Sequence, residues 1–461
     1  MRVVQLAAGA GGMYCGSCLH DARLAATLRA QGRDVVLLPL YTPLRTDEED
    51  VSRGDVHFGG LNVYLQRALP LFRRTPAWLD RLLDRPALLR WAGRRGGSTR
   101  PAKLGPLTLA VLEGEHGPLR KEVARLADTL RALQPHVVHL PNLLLAGVAP
   151  RLRATLRVPL VCGLTGEDIF VDALPEPWRE QVLGRIAAAA RDIDVFVAPT
   201  RYYATHAAQH FGLPAERIHT IAMGIRAADF APPARNAPGR RHEPMPARGD
   251  PPPPVVPAAA DPSGTAHATA AAPLTFAYLA RICPEKGFDR AVRAVVALRA
   301  AGRAARLWAA GYVPPTERAW AAEVVFEARA RAGDDAVEFL GEVDRAAKQA
   351  LLWAADVLCL PTRYVESKGY PVLEALAAGV PAVVPDHGAF PELLAATGGG
   401  VTYPAGDDDA LVAALAAPAD DAPRRRELGR RGQAAVQAHF TAERMAADTW
   451  ALYERLARLR R

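Results

Sequence analysis

Short apolar runs alternate with segments of helical period in two separate blocks of this chain. The first block opens with Val3–Ala8, the glycine-rich Gly9-Ala-Gly-Gly12, a helical segment from about Cys18 to Ala30, and a second apolar run, Asp34–Leu40. Strand, glycine-rich loop, helix and strand in that order predict the start of a Rossmann-like unit. A tight turn would use the same glycines. The rhythm resumes with buried-strand patterns at Gln134–Leu140, Val158–Leu164, Asp194–Thr200 and Arg217–Met223.

The second block starts with the strand Leu274–Leu279. It continues with strands at Ala305–Gly311 and Val337–Leu340, a helix running through Arg331 between them, and a buried strand in Ala355–Pro361. After Pro371 the apolar positions Val372, Leu373, Leu376 and Ala377 fall on one side of a helix. Gly398–Tyr403 is the last strand, and Thr441–Arg461 is a terminal helix carrying Trp450, Leu452, Tyr453 and Leu456. Two βα-repeating halves predict an α/β protein of two Rossmann-like domains.

Two stretches break the rhythm. Residues from about 41 to 130 read as a helical insertion, within which Leu69 to Trp91 carries Trp78, Leu79, Leu82, Leu88 and Leu89 among five arginines. A basic amphipathic helix can lie on a membrane surface or meet a lipid acceptor; packing on its own domain is the plainer expectation. From Ala231 to Pro273 the sequence is rich in Pro, Ala and Arg without hydrophobic period, which predicts a disordered linker. The expected domains are therefore 1–223, a crossover and linker at 224–273, 274–440, and the terminal helix 441–461.

Composition narrows the function classes. With 461 residues, 50% hydrophobic and 23% charged, the chain is long enough for two to three ordinary domains. A net charge of +8 suits anionic nucleotide substrates or an acidic membrane surface. No basic block is interleaved with aromatics, so nucleic acid is not expected as a partner. Five cysteines argue against a disulfide scaffold, and the polar start and lack of a spanning apolar run predict a cytoplasmic protein, at most peripheral at the inner face of the membrane. Cys15-Gly-Ser-Cys18 has the spacing of a redox pair or half a zinc site, but no second pair follows, and small buried thiols are expected. Only five basic residues are lysines: Lys103, Lys121, Lys286, Lys348 and Lys368. Where arginine is the default, a lysine marks a place for a compact ammonium.

The candidate chemistry gathers in the second block. Glu366-Ser-Lys-Gly-Tyr-Pro-Val-Leu-Glu374 sets two carboxylates eight positions apart, one in a strand-to-helix loop and one a turn into the helix. Gly369, Tyr370 and Pro371 form that helix's N-terminus, where backbone N–H groups and the macrodipole favour an anion. Arg281 and Lys286, in Ala280-Arg-Ile-Cys-Pro-Glu-Lys-Gly287, supply two cations in another strand-to-helix loop. A local Glu285–Lys286 pair on a solvated turn is the bland alternative. Glu167 and Asp168 stand beyond a strand's C-terminal end, where α/β sheets bind ligands, although they also suit the first turn of a helix.

These strings resemble the family-4 retaining glycosyltransferases. Glu366, Ser367, Gly369, Pro371, Glu374, Ala375, Ala377, Gly379 and Pro381 fit the family's E-x7-E run, with Lys368 in the place of its aromatic residue. Arg281, Glu285, Lys286 and Gly287 fit its G-R-L-x-x-E-K-G run; Gly11-Gly12 fits the glycine loop facing the cleft; and Glu392 takes a G-x-x-E position. Thr165 stands where relatives carry a histidine, so that histidine's role does not transfer, and Met223 and Arg226 depart from the family's crossover sequence.

The resemblance implies a glycosyltransferase-B architecture, two Rossmann-like domains facing a cleft with the terminal helix returning to the first. It implies metal-independent transfer of a sugar from a nucleotide-diphosphate sugar, a co-substrate rather than a resident cofactor, to a sugar or lipid-linked acceptor, with retention. Arg281, Lys286 and Glu366 would carry the chemistry. Gly12, Gly369, Tyr370, Pro371 and Glu374 would complete the donor site, and Thr165, Glu167 and Asp168 would lie on the acceptor side. A nucleotide-sugar epimerase of the same fold, or a non-catalytic nucleotide- or carbohydrate-binding protein, is the alternative. Base, sugar, acceptor and oligomeric state are not specified by these residues.

Overall fold

The structure, a computed structural model, describes residues 1–9, 16–41, 101–231 and 273–459. Gly12, Cys15, the helix expected at Leu69–Trp91 and nearly all of the linker expected at Ala231–Pro273 lie outside the described residues. The chain divides into two compact units, Met1–Ile225 with Thr441–Arg461, and Arg226–Phe440.

The first unit is built on a six-stranded parallel sheet of β1 (Arg2–Ala7), β2 (Asp34–Pro39), β3 (Val137–Leu140), β4 (Leu160–Gly163), β5 (Val195–Ala198) and β6 (Ile218–Thr220), in the order β2-β1-β3-β4-β5-β6. Its strands are apolar on both faces because helices cover both. Val4, Leu6, Val138, Leu140 and Leu160 point into one core with Leu126 and Leu130. Their alternates Val3, Val35, Leu37, Val137 and Val161 point into another with Leu24, Leu28, Trp450 and Tyr453. The terminal helix Ala442–Leu459 thus supplies part of this unit's own core. It is held at its start by Ala442 N–H donating to the Ile225 carbonyl at 2.9 Å.

The pattern set residues 41–130 aside as an insertion, yet their last part is core. The helix Arg120–Leu133 buries Val123, Leu126, Ala127 and Leu130 completely, because it is the crossover that returns the chain from β2 to β3. Of the strand expected at Arg217–Met223 only Ile218–Thr220 forms, as an edge paired with β5 alone.

The second unit repeats the plan with β7 (Leu274–Leu279), β8 (Ala305–Ala310), β9 (Val337–Gly341), β10 (Val357–Cys359), β11 (Ala382–Pro385) and β12 (Gly400–Tyr403). Their order is β12-β11-β10-β7-β8-β9 and all pairings are parallel. Counted within the unit, this is the doubly wound order in which the first and fourth strands are neighbours and the chain leaves them towards opposite sides. The crevice at that reversal lies at the C-terminal ends of β7 and β10. The next residues in the chain are those of the two candidate loops.

Candidate active site

The loop after β7 reaches Lys286 through the short turn Pro284–Lys286, and the loop after β10 runs from Leu360 to Gly369. Tyr278, fully buried on β7, sets its hydroxyl 3.1 Å from the Arg281 carbonyl and 3.2 Å from that of Lys286, so both ends of the first loop hang on one side chain. The two loops touch backbone to backbone. Gly287 has φ +71°, and a β-carbon there would come within 1.9 Å of the Pro361 carbonyl oxygen. Only glycine meets both demands. Arg363 N–H donates to the Glu285 carbonyl at 2.9 Å, and the Arg363 guanidinium grips Asp289 at two points, 2.6 and 2.7 Å.

This lacing brings Lys286 Nζ onto Glu366 Oε1 in a short ion pair, both side chains largely buried. The Lys286 ammonium also lies 4.3 Å from the centre of the Tyr364 ring. Burial by itself lowers the pKa of Lys286, but the Glu366 carboxylate and Tyr364 outweigh it and raise the pKa, so the ammonium stays charged. Tyr364 is pushed up to about 12, first by burial and then by the Glu366 carboxylate, while Lys286 and Arg281 work the other way. Arg281 is exposed and interacts electrostatically with Tyr364. The local Glu285–Lys286 pair considered from sequence does not describe Lys286, whose partner is Glu366.

Glu366 is fixed from behind by a third loop. Its carbonyl accepts from Ala389 N–H at 2.7 Å. Gly388, at φ +64°, lies so close that a β-carbon would stand 2.4 Å from the Glu366 carbonyl oxygen and 2.8 Å from its nitrogen. Beyond the loop, the helix Tyr370–Ala377 begins with Pro371 in its first turn, and Gly369 precedes it because a β-carbon there would strike Leu393 at 2.4 Å.

Glu374 sits in that helix, 3% exposed, and pairs with Lys348 Nζ at 2.9 Å. Sequence reasoning did not assign Lys348 to the site. Its signal was the scarcity of lysine, which singled out Lys348 along with Lys286. Tyr364 gave no signal, because nothing in its neighbours distinguishes it from a loop aromatic.

In the first unit, Thr165, Glu167 and Asp168 follow β4 together. Glu167 is buried and accepts from Leu143 N–H at 3.0 Å, Thr165 N–H at 2.7 Å and the Tyr203 hydroxyl at 3.1 Å. Asp168 Oδ1 lies nearer the same hydroxyl, at 2.7 Å, so the two acids share its single proton, and Asp168 Oδ2 lies 3.1 Å from His206 Nε2. Neither acid caps the short helix Asp168–Asp172 through its side chain. Glu167 clamps the loop after β3 to the loop after β4, which is a structural task; Asp168 is tied to the helix Arg201–Phe211.

Residues 266–435 match the family model described as glycosyl transferases group 1, and residues 91–229 match that of glycosyltransferase family 4. The structure is similar to that of sucrose-phosphate synthase from Thermosynechococcus elongatus, with a TM-score of 0.66 at 18% identity over 99% of each chain. It is also similar to Anabaena Alr3699/HepE in complex with UDP, with a TM-score of 0.65 at 16% identity over 98% of this chain and 100% of that one. The fold is that of the glycosyltransferase-B enzymes. Among curated sequences, phosphatidyl-myo-inositol mannosyltransferase of Mycobacterium leprae is 46% identical over 81 residues, 18% of this chain and 22% of that protein. The chain spans 22% to 30% of the length of the first three curated relatives it matches. Of the two family models, the one that takes in Lys286, Glu366, Lys348 and Glu374 is that of glycosyl transferases group 1.

Proposed function

We propose that the protein is a retaining glycosyltransferase that moves a sugar from a nucleotide-diphosphate sugar to a hydroxyl of a sugar or lipid-linked acceptor. The observation that carries this reading is the meeting of Lys286, Tyr364 and Glu366 at the strand-order reversal of the second unit, with Glu366 in the loop that leads into the helix Tyr370–Ala377. The bond that breaks joins the anomeric carbon to the diphosphate oxygen. Lys286, Arg281 and the first turn of the helix Tyr370–Ala377 meet the negative charge that develops on that oxygen. Glu366, held by its backbone, takes donor-sugar hydroxyls and stabilises positive charge on the ring. Glu374, oriented by Lys348, takes the ribose hydroxyls. The acceptor hydroxyl gives its proton to the departing phosphate oxygen as its own oxygen bonds the anomeric carbon on the same face.

The acidic run Asp407–Asp409 serves its own helix and its neighbours: Asp407 caps Ala410 N–H at 2.9 Å and Asp408 pairs with Arg290 and Arg293. Neutralisation of the diphosphate therefore falls to Arg281 and Lys286 in this reading, and the transfer is metal-independent. The UDP held by Alr3699/HepE and the mannosyl transfer in the name of the Mycobacterium relative support the substrate class while leaving the base and sugar open.

The test is a thermal-shift screen with UDP, GDP, ADP and their sugars, followed by turnover of the best-binding donor. Release of the nucleoside diphosphate in the wild type, abolished in Glu366→Gln, supports the proposal. Binding with no turnover of any donor sinks it in favour of a binding protein, and turnover indifferent to Glu366 removes the assigned chemistry.

A further inference from the structure

A cavity of about 400 Å³ in the second unit is lined by Arg290, Thr362, Arg363, His387, Ala405, Gly406 and Asp408. Its lining residues follow β10, β11 and β12 in the chain, with Arg290 from the helix Phe288–Ala300, and no step of the proposed transfer uses it. Its walls hold polar groups that the protein leaves unmatched. Thr362 is fully buried and its hydroxyl has no hydrogen-bond partner among the described residues. Arg290 is 4% exposed; its Nε is spent on Asp408, but Nη2 has no partner. The His387 ring places Nε2 3.2 Å from the Thr362 carbonyl, and Nδ1 has no partner. Tyr403 does not line the cavity; it lies behind Arg290, its ring centre 5.9 Å from the guanidinium carbon.

Buried polar groups without partners are costly, and three on the walls of one cavity, two donors and one ring nitrogen, exceed what a packed core retains without reason. Among the lining residues themselves, Arg290 and Arg363 stand against Asp408, a local excess of one positive charge. Arg290 Nη2 and the Thr362 hydroxyl can donate. With Nε2–H turned to the Thr362 carbonyl, His387 Nδ1 is left to accept from an O–H. An occupant with one negative charge, several acceptor oxygens and one O–H meets all of these demands. A phosphate monoester group in its singly charged form has that inventory, and the volume leaves room for a small organic body attached to it.

We propose that this cavity binds a phosphate monoester, at a site separate from the Lys286–Glu366 cluster. The inference rests on the geometry of the cavity alone and does not depend on glycosyl transfer.

The experiment titrates the full chain with glycerol 3-phosphate, with glycerol as the neutral control and vesicles containing phosphatidic acid as the lipid-borne source of the same group. Calorimetry should show glycerol 3-phosphate binding that persists in Lys286→Ala and weakens about tenfold in Arg290→Gln and in Thr362→Val. Thr362→Val is nearly isosteric and removes a hydroxyl with no internal partner, so it keeps the test open if Arg290→Gln does not fold. Vesicle binding with the same dependence on Thr362, in the absence of binding to the soluble ester, would assign the site to a lipid headgroup and still support it. Absence of binding to both sources, equal binding of glycerol, indifference to both cavity variants, or loss of binding in Lys286→Ala would overturn it.

Discussion

Lys286 and Glu366 are separated by 80 residues in the chain and share a salt bridge. They meet because β7 and β10 are neighbours in the sheet, while the chain between them passes through β8 and β9 on one side before returning. The Glu366 carboxylate holds Lys286 charged and the ion pair fixes both side chains in place, which is the preorganisation that stabilising a departing anion requires.

Removal of either member should therefore be felt in the chemistry more than in the fold. Lys286→Ala and Glu366→Gln are each expected to lower kcat for the donor found in the screen by about 10² to 10³-fold. Circular dichroism should show unchanged secondary structure in both. Steady-state kinetics of diphosphate release would check this, and a change confined to KM would count against a role in the transition state.

The Lys348–Glu374 pair makes a different demand. Both side chains are nearly buried, at 11% and 4% exposure. Lys348→Met strands the Glu374 carboxylate and should destabilise the second unit by about 3–5 kcal/mol, whereas the double change Lys348→Met with Glu374→Leu should recover most of that loss. Denaturant unfolding of the single and double variants measures both effects. Donor binding should stay impaired in the double variant, since the carboxylate assigned to the ribose is gone.

Gly388 tests the backbone support of Glu366. A methyl group there meets the Glu366 carbonyl oxygen at 2.4 Å, at a φ of +64° that side chains rarely adopt. Gly388→Ala should displace the Glu366 loop and reduce turnover at least about tenfold, at a stability loss of about 1–3 kcal/mol. Wild-type kcat in a folded Gly388→Ala protein would show that the loop's position is set elsewhere.

In the first unit, His139 is buried against the Tyr453 hydroxyl at 2.6 Å, joining the sheet to the terminal helix. Burial lowers its pKa to about 4, from a usual value of 6.5. Between those two values the unfolded chain holds a proton that the folded chain does not, so stability is complete above pH 6.5 and falls as pH drops towards 4. The loss is about 3 kcal/mol across the window. His139→Phe should flatten that part of the stability–pH curve; an unchanged slope would mean that another group carries it.

Much of this architecture was legible in the sequence because parallel strands buried on both faces are short, mainly apolar runs, such as Leu274–Leu279 and Val137–Leu140, and periodicity marks the helices between them. Arg281, Lys286, Glu366 and Glu374 could be singled out because loop and helix-start residues are written contiguously. The core role of Arg120–Leu133 was missed for the opposite reason: its four buried apolar positions acquire meaning only from the strands they cover. Glu167 likewise looked available beyond a strand end, but its carboxylate is engaged by Leu143, Thr165 and Tyr203, partners at sequence distances from 2 to 36.

By itself the sequence determined two βα-repeating halves and the candidate groups each contributes, since local hydrophobic period and motif spacing are properties of neighbours along the chain. Only the tertiary structure decided which charges pair. Strand order chose Glu366 over Glu285 as the partner of Lys286, and helix packing gave Glu374 to Lys348. Electrostatic pairing depends on distance in space, and that distance is set when the sheet closes its order.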